Sequence, residues 1–100
     1  MKTTFKEEDG KFIATLEGRL DTAVADQTAK ELEVLNDCMG HDIVIDCEHL
    51  EYISSSGLRI LLAIRKRAAS VNSKVTILHL NADIQKVFQM TGFYNLFEIK

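Results

Sequence analysis

In the stretch DCEHLEYISSSGLRILL, residues 46–62, strand-like sequence changes to helix-like sequence at three consecutive serines, and the rest of the chain is interpreted as its scaffold. Upstream of it, the β-branched run Ile43–Ile45 is typical of a buried strand. Downstream, a helical repeat runs through Leu58, Leu61, Leu62, Arg65 and Ala69, with Ile60 and Ile64 widening its apolar face. The serines therefore lie at a helix N-terminus, where hydroxyl groups can accept hydrogen bonds from free backbone N–H groups. The helix dipole also favours a negative charge there, such as a phosphate.

The length and composition of the chain indicate one domain over residues 1–100. A chain of 100 residues with 46% hydrophobic content can bury a core without metal or disulfides. The formal net charge of −3 argues against binding to nucleic acid. No apolar run is long enough to span a membrane or to form a signal peptide, so we expect a cytoplasmic protein without direct membrane insertion. Cys38 and Cys47 form no Cys-x-x-Cys pair and are expected to stay reduced.

Around the central stretch, strands and helices are predicted to alternate. The predicted strands are Thr4–Glu8 and Lys11–Glu17 around an Asp9-Gly10 turn, then Asp42–Cys47, Lys74–Leu80 and Leu96–Ile99. The predicted helices run from a cap at Asp21 or Thr22 to about Met39 with Gly40 as its stop, from Ser56 to Ser70, and from a cap at Asn81 to just before Gly92. Loops are expected at Gly18–Thr22 and at Glu48–Ile53, with Leu50 and Ile53 tucked inward.

This alternation predicts an α/β fold with a mostly parallel sheet of about five strands, an N-terminal hairpin and right-handed crossover helices. Ligands and partners of such folds bind at the carboxyl ends of the strands. Asp21, the serine stretch and Asn81 each follow a strand, so we expect them to share one edge of the molecule.

Three segments, in order, make the chain resemble the STAS domain, which is found in anti-sigma-factor antagonists and in the cytoplasmic tails of sulfate transporters. Gly18-Arg19-Leu20-Asp21 is similar to the family's Gly-x-Leu-Asp. Residues 46–62 are similar to its Asp-Ser-Ser-Gly-Leu signature and the sequence that precedes it. The closing pattern is matched by Val75-Thr76-Ile77, Val87-Phe88, Gly92 and Leu96-Phe97.

The resemblance implies a regulatory binding module with no enzyme activity and no cofactor. Its partners would be an anti-sigma factor with serine kinase activity and a serine phosphatase for the phosphorylated form. The serine that the kinase modifies corresponds to Ser55. The implied partner-binding residues are Asp21, Thr22, Ser54, Ser56, Gly57 and Arg59.

Two positions depart from the family pattern. Ser54 stands where the family usually has Asp, and it offers a second hydroxyl as a rival acceptor. Arg59 stands where a small residue is common. It is interpreted as a contact for a partner, as a group that meets an incoming phosphate, or as a solvated arginine.

The same residues allow other functions. The chain could be a constitutive STAS accessory subunit of a lipid-transporting ABC complex, with Ser55 acting only as a helix cap. A serine hydrolase is disfavoured, because His41, His49 and His79 accompany no Gly-x-Ser-x-Gly motif. A metal site is also disfavoured, because His41, Asp42, Asp46 and His49 lack a recognised ligand spacing and are expected to form a solvated strand end.

Overall fold

The computed structural model describes residues 1–38 and 41–100, and the side chains of all of these except 36–38. Its strands are β1 (Lys2–Glu8), β2 (Lys11–Leu20), β3 (Asp42–Ile53), β4 (Val75–Leu78) and β5 (Glu98–Ile99). Its helices are α1 (Thr22–Leu32), α2 (Ser55–Ala69) and α3 (Ala82–Thr91), with short 3-10 helices at Glu33–Cys38 and Phe93–Asn95. The sheet order is β1-β2-β3-β4-β5, and only β1 runs antiparallel to its neighbour. The predicted fold class is confirmed.

The N-terminal hairpin turns at the predicted dipeptide. Asp9 and Gly10 have φ angles of 53° and 76°, and Glu8 pairs with Lys11 across the turn. Two successive positive φ angles match the right-handed twist of a two-residue hairpin. As predicted, β2 lies inside the sheet, between β1 and β3.

The core lies on one face of the sheet. Ala14, Ile45 and Ile77 are register partners, and each is fully buried. The same cluster includes Leu61 of α2 and Phe88 of α3. Each parallel strand pairs with the next one in the chain, so right-handed crossovers place the helices on this face. The strand residues that point the other way lie outside the cluster, among them Ile13, Val44 and Thr76.

The central strands β2 and β3 are longer than predicted. The segment Gly18–Leu20 continues β2 instead of forming a loop, and β3 continues past Cys47 to Ile53. Two register shifts permit this, because β3 carries one extra residue at each of them: Thr15↔Asp46 is followed by Glu17↔His49, and Gly18↔Leu50 by Arg19↔Tyr52. Leu50 and Ile53 are buried as predicted, but as strand residues.

The helices also differ from the predictions in detail. The α-helical part of the first helix ends at Leu32, and a 3-10 helix continues to Cys38; Met39 and Gly40, its predicted end, lie outside the described residues. The helix α2 buries Ala68, whereas Ala69 is exposed. The buried residues of α2 define a core-facing stripe that leaves Ala69 at its margin, 100° further round the helix than Ala68: they are Gly57, Leu58, Leu61, Ile64 and Ala68.

The C-terminal elements are shorter than predicted. The strand β4 ends at Leu78, because His79 adopts a left-handed conformation with φ 62°. The strand β5 has two residues, because Phe93–Asn95 forms a 3-10 helix and Leu96 follows in helical conformation. Gly92 ends α3 with φ 80°, as predicted.

Cys47, the cysteine whose side chain the structure describes, is a core residue. Cys47 is free and buried, and burial raises its pKa to about 12. The side chain of Cys38 lies outside the description, so the prediction for it stays a prediction. Within residues 1–38 and 41–100, no helix has both the length and the apolar character needed to cross a bilayer.

Candidate functional site at the carboxyl ends of the strands

Each of the helices α1, α2 and α3 begins with a side-chain cap, which directly follows a strand at Asp21 and Ser54 and comes three residues after β4 at Asn81. The cap residue has an extended backbone, and its side chain accepts a hydrogen bond from the backbone N–H three residues further on, which satisfies one of the free donors of the first turn. The three caps are Asp21 to Val24 at 3.3 Å, Ser54 to Gly57 at 3.2 Å, and Asn81 to Ile84 at 2.9 Å.

Hydrogen bonds join two of these cap residues, Ser54 and Asn81, to neighbouring strands. The N–H of Ser54 donates to the carbonyl of Leu20 at 2.8 Å, which joins the start of α2 to the end of β2. The amide Nδ2 of Asn81 donates to the carbonyl of Leu50 at 3.1 Å, which joins the start of α3 to β3. The predicted common edge is therefore present.

The capping residue of α2 is Ser54, and Ser55 is the first residue of the helix. The interpretation of Ser55 as the helix cap is therefore wrong. Serine and aspartate are both among the preferred N-cap residues, so Ser54 can do the capping that an aspartate would do at this position. Ser55 is exposed, whereas Ser54 and Ser56 are half-buried.

Gly57 allows α2 to approach the two central strands closely. A Cβ atom on this buried residue would lie 2.7 Å from Cγ of Leu20 and 2.8 Å from Cγ1 of Ile53. Both atoms are inner carbons of buried side chains, a branch point in Leu20 and a methylene in Ile53, at the ends of β2 and β3. Gly57 is therefore a buried packing residue that sets the position of Ser55, and its predicted contact with a partner stays a prediction.

The N-terminal turns of α1 and α2 share a shallow cavity of about 290 Å³. Its lining brings together three of the predicted partner-binding residues, Thr22, Ser56 and Arg59, with Asp26 of α1. Thr22 and Arg59 are exposed, and Asp21 is half-buried at the start of α1. Ser55 precedes this cavity on the helix but does not line it.

A cation–π pair formed by Arg19 and Tyr52 lies close to the serines and was not predicted from the sequence. The guanidinium carbon of Arg19 lies 4.5 Å from the ring centroid of Tyr52, within the range of a cation–π contact. The two residues are register partners in the last part of β2 and β3, and the Tyr52 side chain is 41% exposed. The pair becomes predictable only once β2 and β3 are known to continue through residues 18–20 and 48–53.

A second network, also missed, stabilises the first register shift in β3. Asp46 Oδ1 accepts a hydrogen bond from the N–H of Glu48 at 3.1 Å and lies 2.9 Å from Nδ1 of His79. Burial raises the pKa of Asp46, but the hydrogen bonds from His79 and Glu48 outweigh it and hold that pKa below its usual value. The hydrogen bond to Asp46 raises the pKa of His79 above its usual value, against a smaller effect of desolvation.

The four residues weighed as metal ligands are not brought together as a set. Within the described part of the chain, the one group of three ligand-type side chains whose atoms lie within 4.8 Å of one another is Asp46, Glu48 and His79. Its central oxygen already takes part in two hydrogen bonds that organise the strand. His41 instead packs edge-on against the ring of Phe12, with centroids 5.2 Å apart.

Comparison with known proteins identifies the family to which this fold belongs. A family model of the STAS domain matches residues 2–100. The chain belongs to the STAS domain family. A Bordetella bronchiseptica protein named "Putative anti-sigma factor antagonist BtrV" is 34% identical over 99 residues, which cover 99% of this chain and 85% of that protein.

Solved STAS structures share the fold at low sequence identity. An anti-sigma factor antagonist from Mycobacterium paratuberculosis has a TM-score of 0.87 at 19% identity, covering 98% of this chain and 83% of that one. The antagonist SpoIIAA in its unphosphorylated form has a TM-score of 0.71 at 20% identity, covering 89% and 83%. The Bacillus cell fate determinant SpoIIAA in its phosphorylated form has a TM-score of 0.73 at 20% identity, covering 99% and 91%. This chain is an STAS protein similar to anti-sigma-factor antagonists, which are regulators and not enzymes.

Proposed function

We propose that this chain is a cytoplasmic anti-sigma-factor antagonist that binds an anti-sigma factor with serine kinase activity and is released when that kinase phosphorylates Ser55. A serine phosphatase would return it to the binding form. The observation that supports the proposal is that the three serines have different structural environments. Ser54 caps the helix and Ser56 is half-buried, whereas Ser55 exposes its side chain at the first helical position.

The surroundings of Ser55 suit a charge switch that leaves the fold intact. A phosphate adds a charge of about −1.5 to −2 and is accommodated at a helix N-terminus by the dipole. The start of α2 is held in place by the hydrogen bond from the N–H of Ser54 to the carbonyl of Leu20 and by the packing of Gly57. A partner that fits the neutral hydroxyl would have to desolvate the new charge, which is costly when the charge is unpaired.

The names of similar proteins support this function. BtrV is named as a putative anti-sigma factor antagonist, and the structure of the anti-sigma factor antagonist SpoIIAA is known in unphosphorylated and phosphorylated forms. The exposed residues Thr22 and Arg59, together with Asp21 and Ser56 beside them, form the proposed partner surface around Ser55.

The test begins with affinity capture from the native cytoplasm, followed by purification of the captured ATPase and titration calorimetry. Ser55→Ala should bind that ATPase and resist phosphorylation, whereas Ser55→Asp should lose at least about tenfold in affinity, since an unpaired charge costs more than about 1.4 kcal/mol. Gln89→Glu adds one negative charge at an exposed position on α3 and should bind like wild type. All three variants should melt within a few degrees of wild type.

Two outcomes would contradict the proposal. Equal affinity of wild type and Ser55→Asp for a kinase-type ATPase would leave Ser55 without a switching role. Capture of a transporter ATPase, with affinity independent of position 55, would favour the accessory-subunit alternative.

A further inference from the structure

Arg59 is placed to contact a group attached to Ser55. The two residues are four positions apart on α2, so their Cβ atoms are about 5–6 Å apart on the same side of the helix. Both side chains are exposed. Arg59 also lines the cavity with Thr22 and Ser56, at the end of the helix that carries the serines.

Two other arginines in the described part of the chain already have partners. Arg19 stacks on Tyr52, and Arg65 donates from Nε to the carbonyl of Leu96 at 2.6 Å. Across the residues that the structure describes, Arg59 takes part in no ion pair. An arginine in the second turn also repels the positive end of the helix dipole, so its position is mildly unfavourable until an anion is added.

We propose that Arg59 binds the phosphate of phosphorylated Ser55 within the same chain. The ligand is a phosphate monoester dianion, which the planar guanidinium binds through paired N–H donors. Phosphorylation of Ser55 then changes the partner surface in two ways. It adds a negative charge at Ser55, and it engages Arg59 with the phosphate. The inference rests on the proposed function only in taking Ser55 as the modified residue.

The second pKa of the phosphate, measured by ³¹P NMR titration, tests the pairing directly. Phosphoserine is installed at position 55 during translation, so no kinase is needed. Arg59 favours the dianion and lowers this pKa from a usual value of about 6. An exposed ion pair between residues four apart on a helix stabilises the dianion enough to lower the phosphate pKa by about 0.3. Arg59→Gln should therefore raise this pKa by about the same amount.

Matched variants separate pairing from a general charge effect. Arg67→Gln removes the same charge from an exposed position two turns further along α2 and should leave the pKa unchanged. Arg59→Lys should retain part of the effect. Asp26 lines the cavity and Asp21 caps α1, and both carboxylates are present in every variant, so any repulsion between them and the phosphate is the same in each. The difference between wild type and Arg59→Gln should vanish in 1 M salt, where the screening length falls to about 3 Å.

The proposal is overturned if the Arg59→Gln and Arg67→Gln phosphoproteins titrate alike, whether both shift or neither does. Such a result would not affect the proposed function, because the kinase takes no part in the titration. Conversely, a failure to find a kinase partner would leave the ³¹P shift measurable and the pairing intact.

Discussion

Replacing Gly57 by alanine tests whether close packing fixes the start of α2. In most helices this change is stabilising, because alanine exceeds glycine in helix propensity by up to about 1 kcal/mol. Here the new methyl group would lie 2.7 Å from Cγ of Leu20 and 2.8 Å from Cγ1 of Ile53. Neither atom is the free end of a flexible side chain, so the helix or the strand ends must shift.

The expected result is a loss of stability. Overpacking of this kind costs about 1–3 kcal/mol, from which the gain in propensity is subtracted. We expect the free energy of unfolding to fall by up to about 2 kcal/mol, and the melting temperature of a domain of this size to fall by up to about 15 °C. Urea denaturation and calorimetry measure the two quantities.

A double-mutant cycle with Leu20→Ala locates the clash. Leu20→Ala alone should cost about 2–5 kcal/mol, since Leu20 is fully buried. In that background Cγ is absent, so Gly57→Ala should cost at least about 0.5 kcal/mol less than it does in wild type. A stabilising effect of Gly57→Ala, or the same cost in both backgrounds, would refute the packing argument.

Three further predictions concern the Ser54 cap, the Asp46–His79 pair and the buried Cys47. Ser54→Ala should lower the free energy of unfolding by about 1 kcal/mol while Ser54→Asp stays near wild type; an unchanged Ser54→Ala variant in urea denaturation would exclude the cap. The Asp46–His79 pair should stabilise the fold most between about pH 5 and 6. The contribution of His79 is complete below its ordinary pKa of 6.5 and is lost as pH rises through its raised folded value, whereas that of Asp46 is present above 3.8 and is lost as pH falls through its lowered folded value. A stability difference between wild type and His79→Gln that persisted at pH 9 would contradict the pair. In a Cys38→Ser variant, Cys47 should react with a thiol reagent only on unfolding, because a pKa of about 12 leaves roughly one thiol in ten thousand ionised at pH 8; equal rates in the native and unfolded protein would argue against burial.

The features that could be predicted from the sequence are those with a short-range cause. The Asp9-Gly10 turn, the caps at Asp21 and Asn81, and the stop at Gly92 each depend on a few neighbouring residues. The order of strands and helices follows from local periodicity in the same way. The common edge then follows, because parallel strands end on the same side of a sheet.

The features that were missed depend on contacts between distant segments. The end of β3 looks like a loop, since Glu48, His49 and Glu51 interrupt its apolar pattern, and only the bulged pairing with β2 keeps it in the sheet. The Arg19–Tyr52 stack depends on that pairing. The partnership of Asp46 with His79 joins residues 33 positions apart in the sequence. The capping serine among three identical neighbours could not be chosen from composition either, because each can accept the same hydrogen bond.

The position of Ser55 determines how a phosphate could act in the proposed switch. The residues on either side of it serve the fold: Ser54 caps α2 and bonds to Leu20, and Gly57 packs against Leu20 and Ile53. A helix start fixed in this way to the ends of two strands has little freedom to move when an exposed neighbour gains charge. The signal must then be read at the surface, by a partner that contacts Ser55 directly. A kinase that is itself the binding partner meets that requirement, because the hydroxyl it recognises is also the hydroxyl that it modifies.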